Sequence, residues 1–195
     1  MRAALTRIGE VRTVILLAAP ADADLDGDRV PVAFEWAAAD IFDRDLAAPA
    51  FQFPPVAARR AREWLARGDR CLVGRVHDRA ATYLWVGTQV RDFPGASCPV
   101  GPGTAYVYKT FTLPEFRGRG LNTAALREAR RRCARDGFQQ VLIDVASDNV
   151  KSRRAIERAG FVAAGRLFLL RVGRVRQVWL PGPVRRRIAG AAVRA

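Results

Sequence analysis

The apolar positions fall into two rhythms that alternate along the chain. Val11 to Ala19 is a nearly unbroken apolar run, β-branched at its start, and predicts a strand. The Asp-Gly step of DADLDGDR predicts a turn, and the alternating Val30 to Trp36 a second strand, so the two together suggest an N-terminal hairpin. Ala37 to Ala48 is weakly helical. PPVAARRAREWLARG opens on prolines and stops at Gly68, as a helix does, with Ala57, Ala61, Trp64 and Leu65 sharing one face. CLVGRVHDRAATYLWVGTQV predicts a hairpin turning near His77-Asp78-Arg79, and the Pro- and Gly-rich RDFPGASCPVGPG a loop. Tyr106 to Thr112 is β-branched and aromatic, a strand that Pro114 ends.

Beyond it, Leu121 to Cys133 is a helix whose Leu121, Ala125, Ala129 and Cys133 form a stripe suited to packing on a sheet. Glu128 and Arg132 add an i,i+4 pair. VLIDVASDNVKSRRAIERAGF then offers a strand, a turn and a helix closed by Gly160. Leu167 to Val172, a turn at Gly173 and Val175 to Leu180 close the order with a hairpin. GPVRRRIAGAAVRA ends the chain as a short basic helix or a frayed tail. Strands interleaved with helices predict an α/β (α+β) mixed sheet covered on both faces. No repeat or linker divides the chain, so a single domain over 1–195 is expected.

Composition changes this picture in few places. A net charge of +14 comes almost wholly from arginine, since Lys109 and Lys151 are the only lysines. Such a field attracts anionic ligands, though an Arg- and Ala-rich codon habit explains it equally well. Cys71, Cys98 and Cys133 lack metal-ligand spacing and suit buried thiols in a reducing cytoplasm. His77, the sole histidine, excludes a His-based triad or a multi-histidine metal site, and its turn position predicts exposure. VILLAAPADA superficially imitates a signal peptide, but the run is short and flanked by Glu10 and Arg12, so a strand is preferred. No stretch approaches the length of a transmembrane helix.

The chemistry centres on Tyr106 to Leu126, YVYKTFTLPEFRGRGLNTAAL. Glycines at a helix mouth let backbone amides approach an anion, and the unpaired amides of the first turn favour negative charge. No lysine follows Gly120 as a nucleotide P-loop requires, and two glycines fall short of a dinucleotide fingerprint. The stretch instead resembles the pyrophosphate loop of the GNAT superfamily of acyl-CoA N-acyltransferases, Arg/Gln-x-x-Gly-x-Gly/Ala. Arg117, Gly120 and Asn122 occupy its three positions, Asn122 replacing the usual small residue. Downstream, Asn149, Ser152, Gly160 and Phe161 resemble the family's second half-motif in type and spacing.

The resemblance implies a GNAT-like fold, with an acyl-CoA-binding core over about 104–181. Substrate-side elements would fill 1–103, and a basic tail 182–195. It also implies a central strand and a following parallel strand that splay apart to admit acetyl-CoA, the co-substrate, with no metal. Arg117, Gly118, Arg119, Gly120, Leu121, Asn122 and Thr123 would hold the pyrophosphate. Backbone groups of Thr110, Phe111 and Thr112 would pair with the pantetheine arm, one amide donating to the thioester oxygen. Asn149 would bond the pantetheine side or cap the following helix. Many relatives carry a tyrosine acid where Ile156 stands, so other groups must serve: Ser152 or water, Tyr106, Tyr108, Asp144 or Asp148. Strand alternation predicts Tyr106, Tyr108, Thr110 and Thr112 on one face. The resulting expectation is a cytoplasmic N-acetyltransferase acting on an unidentified amine, an anionic acceptor among those its charge would suit. A CoA-binding sensor module is the main alternative, and a nucleic-acid-binding protein a weaker one resting on charge alone.

Overall fold

The computed structural model describes residues 10–25, 30–46, 55–93, 96–172, 175–179 and 181–189. Ten strands are present among them: β1 (Glu10–Pro20), β2 (Ala33–Trp36), β3 (Arg70–Val76), β4 (Arg79–Gly87), β5 (Gln89–Phe93), β6 (Ala96–Pro99), β7 (Thr104–Thr112), β8 (Gln140–Ala146), β9 (Val162–Val172) and β10 (Val175–Trp179). The helices are α1 (Ile41–Arg44), α2 (Pro55–Ala66), α3 (Leu121–Arg135), α4 (Val150–Arg158) and α5 (Gly182–Ile188). An eight-stranded sheet runs β10-β9-β1-β8-β7-β4-β3-β2, with β5 and β6 forming a separate pair. β7 and β8 run parallel, while the other pairs are antiparallel.

The expected N-terminal hairpin does not form. β1 lies between β8 and β9, whereas β2 is the far edge strand beside β3. The reason lies in burial: every residue from Val14 to Ala19 is buried, so β1 needs cover on both faces, and a central position supplies it. β2 alternates exposed and half-buried residues and suits an edge. Two further expectations are corrected. The Pro- and Gly-rich loop contains the β5–β6 ladder, Gln89 opposite Pro99 and Phe93 opposite Ala96. The weak helix contracts to the single turn of α1 in the described residues. The Asp26-Gly27 step, residues 47–48, Gly173 and residues 190–195 lie outside the described residues.

Side chains alternate across the sheet and so build two cores. On one face the α3 stripe (Ala125, Leu126, Ala129, Cys133) and Ile156 and Ala159 cover Ile15, Leu17, Val107 and Ile143. On the other, Ile41, Phe42, Ala58, Ala61, Val184 and Ile188 cover Val14, Leu16, Tyr106 and Leu142. α5 is therefore part of this second core, since Val184 and Ile188 are buried while Arg185 and Arg186 face solvent. The 182–188 segment is a packed helix, not a frayed tail.

Candidate active site

β7 and β8 pair only from Thr104↔Gln140 to Val107↔Ile143. Past that point each strand keeps only its outer neighbour. Tyr108, Phe111 and Thr112 stand opposite Trp85, Tyr83 and Thr82 of β4, while Asp144, Val145 and Ala146 stand opposite Leu16, Ile15 and Val14 of β1. The strands thus part in the middle of the sheet, at the place expected from the sequence.

A bulge changes which side chains face which way. Two steps along β4, from Trp85 to Tyr83, match three along β7, from Tyr108 to Phe111. Lys109 absorbs the extra residue at φ +50°, a region that non-glycine residues seldom occupy. The insertion reverses the alternation beyond it. Phe111 stacks on Tyr83 on the face that carries Tyr106 and Tyr108, whereas the Thr112 hydroxyl meets that of Thr82, 3.0 Å away. The expectation that Tyr106, Tyr108, Thr110 and Thr112 share one face therefore fails, because strict alternation stops at Lys109.

The glycine turn lies directly after β7. A single 3₁₀ turn, Pro114–Phe116, leads into Gly118 and Gly120, which adopt φ of +78° and +79°. Gly120 is the N-cap of α3, with no side-chain cap, and its carbonyl receives the first helical bond, from the Ala124 amide at 3.0 Å. The amides of Leu121, Asn122 and Thr123 are consequently the orphan donors of this helix start. The Oδ1 of Asn122 is buried without a hydrogen-bond partner. Arg117 folds back over Phe111, and its Nε donates to the Thr112 carbonyl at 3.0 Å, tying the turn to the end of β7. Arg119 lies exposed over Phe116. Thr123 donates to the Ala155 carbonyl (3.2 Å) and so fixes α4 beside α3. These donors and left-handed glycines fit an anionic diphosphate.

At the base of the parting, the Tyr106 hydroxyl donates to the Asp144 carboxylate. Tyr106 is fully buried; Asp144, the first residue of β8 beyond the paired stretch, is half-buried. The Tyr106 ring stacks on Tyr108, and the Tyr108 hydroxyl donates to Asp69 at 2.8 Å. Asp69 is buried at 3% exposure, and Trp64 and Trp85 pack around Tyr108. Gly87 makes room for that carboxylate, because a methyl there would run into Asp69. Nothing in the sequence singled out Asp69: it follows a helix stop as an ordinary turn residue would.

The remaining candidates separate clearly. Asn149 caps α4 by accepting from the Ser152 amide at 3.1 Å, so the capping role is present. Ser152 lies half-buried in the first turn of α4, and Asp148 is exposed in the preceding turn. Ile156 is buried against α3 and can move no proton. His77 is exposed in the β3–β4 turn at φ +47°. Burial drives the Cys71 thiol far above its ordinary range and that of Cys133 up to about 12, so neither supplies a thiolate.

Residues 34–161 match the sequence model of the acetyltransferase (GNAT) family. No curated protein matches the chain. Among solved structures, a GCN5-related N-acetyltransferase from Sphaerobacter thermophilus is 18% identical, with a TM-score of 0.58 over 88% of this chain and 53% of its own. The aminoglycoside antibiotic 6'-N-acetyltransferase AAC(6')-Ih from Acinetobacter baumannii is 18% identical, with a TM-score of 0.51 over 67% and 90% respectively. A "predicted acetyltransferase with acetyl-CoA" from Clostridium acetobutylicum is 12% identical, with a TM-score of 0.50 over 67% and 90%. The chain spans 52% to 66% of the length of five solved structures that align with 84% or more of it.

Proposed function

Because the chain belongs to the GNAT acetyltransferase family, we propose that it transfers an acetyl group from acetyl-CoA to a primary amine by direct attack. The observation that carries this reading is the parting of β7 from β8 beside the glycine-lined start of α3. When bound, acetyl-CoA supplies the activated acyl carbon. The chain's own groups bind and orient it. Amides from Gly118 to Thr123 hold the pyrophosphate, with Arg117 and Arg119 adding positive charge. Thr110, Phe111 and Thr112 form the edge of β7 beside the parting. The Phe111 carbonyl accepts from the Thr82 hydroxyl at 2.8 Å and the Thr112 carbonyl from Arg117, and the backbone groups left on that edge pair with the pantetheine arm as an added strand would. Asn149 serves the same arm from the other side while it caps α4. An amide near the Lys109 bulge donates to the thioester oxygen as negative charge develops there.

Calorimetric titration with acetyl-CoA, followed by a thiol-release assay with a panel of primary amines, tests the proposal. Saturable binding and release with at least one amine are expected. Binding without release from any amine would make the protein a CoA-binding module, and no binding would remove the reading altogether. Among the described residues, no helix is long and apolar enough to cross a membrane.

A further inference from the structure

We propose that the end of the sheet where β9 and β10 extend past α4 is a docking platform for single-stranded nucleic acid. This goes beyond acetyl transfer and does not depend on it. The register of three strands sets the platform out. Thr13 of β1 stands opposite Phe168 of β9, and Phe168 opposite Trp179 of β10. Two residues back along β9, Arg166 stands opposite Ile15. Ile15 belongs to the core that α3 and α4 cover, so alternation places Arg166 and Phe168 on that face of the sheet.

The cover stops short of them. Ile156 and Ala159 of α4 are buried in that core, whereas Phe168 is half-buried, Arg166 exposed and Trp179 62% exposed. The rings of Phe168 and Trp179 lie 5.4 Å apart between centroids, with their planes 37° from parallel. One side of the Trp179 ring is thus held by Phe168 while the rest meets solvent. The Ser147 amide donates to the Thr13 carbonyl at 3.0 Å, which brings the start of α4, with Val150 40% exposed, to the same end of the sheet. An aromatic pair on strands, rather than on a loop tip, presents its rings with little conformational freedom left to lose.

Charge selects the partner. α3 and α4 carry nine basic residues and two acidic ones, and both acids, Glu128 and Glu157, are paired with arginines of their own helices. Lys151 and Arg154 are exposed on α4. A second copy would bring another chain of net charge +14 against this face, so repulsion opposes a dimer there and favours an anionic partner. Among anionic partners, rings fixed on a sheet with an arginine beside them suit a single strand, whose bases stack on the rings while its phosphates meet the cations. A duplex keeps its base faces stacked inside, and a lipid surface is met by the apolar face of an amphipathic helix, which is absent from this end of the sheet among the described residues.

Fluorescence anisotropy of labelled oligouridylate and oligothymidylate, titrated with the full chain, tests the proposal. A duplex of the same length and vesicles of phosphatidylcholine with phosphatidylserine serve as competitors. At least one single strand should bind, and more tightly than the duplex. Trp179→Ala should weaken that binding about tenfold. Trp179→Leu, which keeps an apolar side chain against Phe168, should weaken it similarly. Arg166→Ala should lower the slope of log K against log salt by about 0.7. It should also cost more affinity than Arg185→Ala, which removes the same charge from α5 on the opposite face. Acetyl-CoA affinity should stay unchanged in all four variants, so the platform and the acetyl-CoA site stand or fall separately. Failure of both single strands to bind would overturn the proposal. So would wild-type affinity in both Trp179 variants, or equal affinity for the duplex, since either leaves charge alone as the source of binding. Vesicle binding without strand binding would replace the proposal with a membrane surface. A dimer in sedimentation velocity that Trp179→Ala dissociates, again without strand binding, would replace it with a second copy.

Discussion

The two halves of β7 have the same residue chemistry and different surroundings. From Thr104 to Val107 the strand is laced to β8, and at Tyr106 and Val107 to β4 as well; its side chains there are buried. From Tyr108 onward it keeps β4 alone, takes the bulge at Lys109, and turns partly exposed from Lys109 to Thr112. The first half therefore contributes to the core and the second to a site. A strand whose edge is left open inside a sheet presents backbone donors and acceptors that a ligand can complete. Changes in the closed half should cost stability and spare binding; changes around the open half should do the reverse.

The largest expected effect on stability is in the closed half. Leu142, fully buried on β8 opposite Tyr106, should cost about 2–5 kcal/mol on Leu142→Ala. Urea denaturation would show it, with acetyl-CoA affinity of the folded fraction unchanged. At the boundary, Tyr108→Phe removes a donor to the buried Asp69 and should cost about 1–3 kcal/mol. An unaltered urea midpoint would mean that this bond contributes nothing to the closed half. Smaller still, Asn149→Ala removes the cap of α4 and should cost about 1 kcal/mol. Its second role on the pantetheine arm predicts a fall in acetyl-CoA affinity as well, and unchanged affinity in the folded variant would leave Asn149 a helix cap alone.

The sequence made the open half more legible than the elements around it. Glycines at Gly118 and Gly120 before an apolar helix stripe are local signals, and the turn and the helix lie where they predicted, while the parting of the strands lies where the family resemblance implied it. The bulge left no such mark. Lys109 is an ordinary strand residue by type, and only pairing with β4 shows that one residue is extra. The place of β1 was likewise hidden, because a hairpin and a central strand share the same local pattern and differ in long-range pairing. Asp69 and Asp144 look alike in sequence. Packing alone separates them, one sealed behind Tyr108 and the other half-buried beside the parting.

Calorimetric titration of acetyl-CoA into wild type and Gly120→Val tests the central claim most directly. Gly120 caps α3 at φ +79°, and a β-branched residue there both strains that backbone and places a side chain at the proposed pyrophosphate cradle. Circular dichroism would establish that the variant is folded. The account predicts a folded variant whose affinity for acetyl-CoA falls at least tenfold, about 1.4 kcal/mol. A folded Gly120→Val protein that binds acetyl-CoA as tightly as the wild type would contradict it.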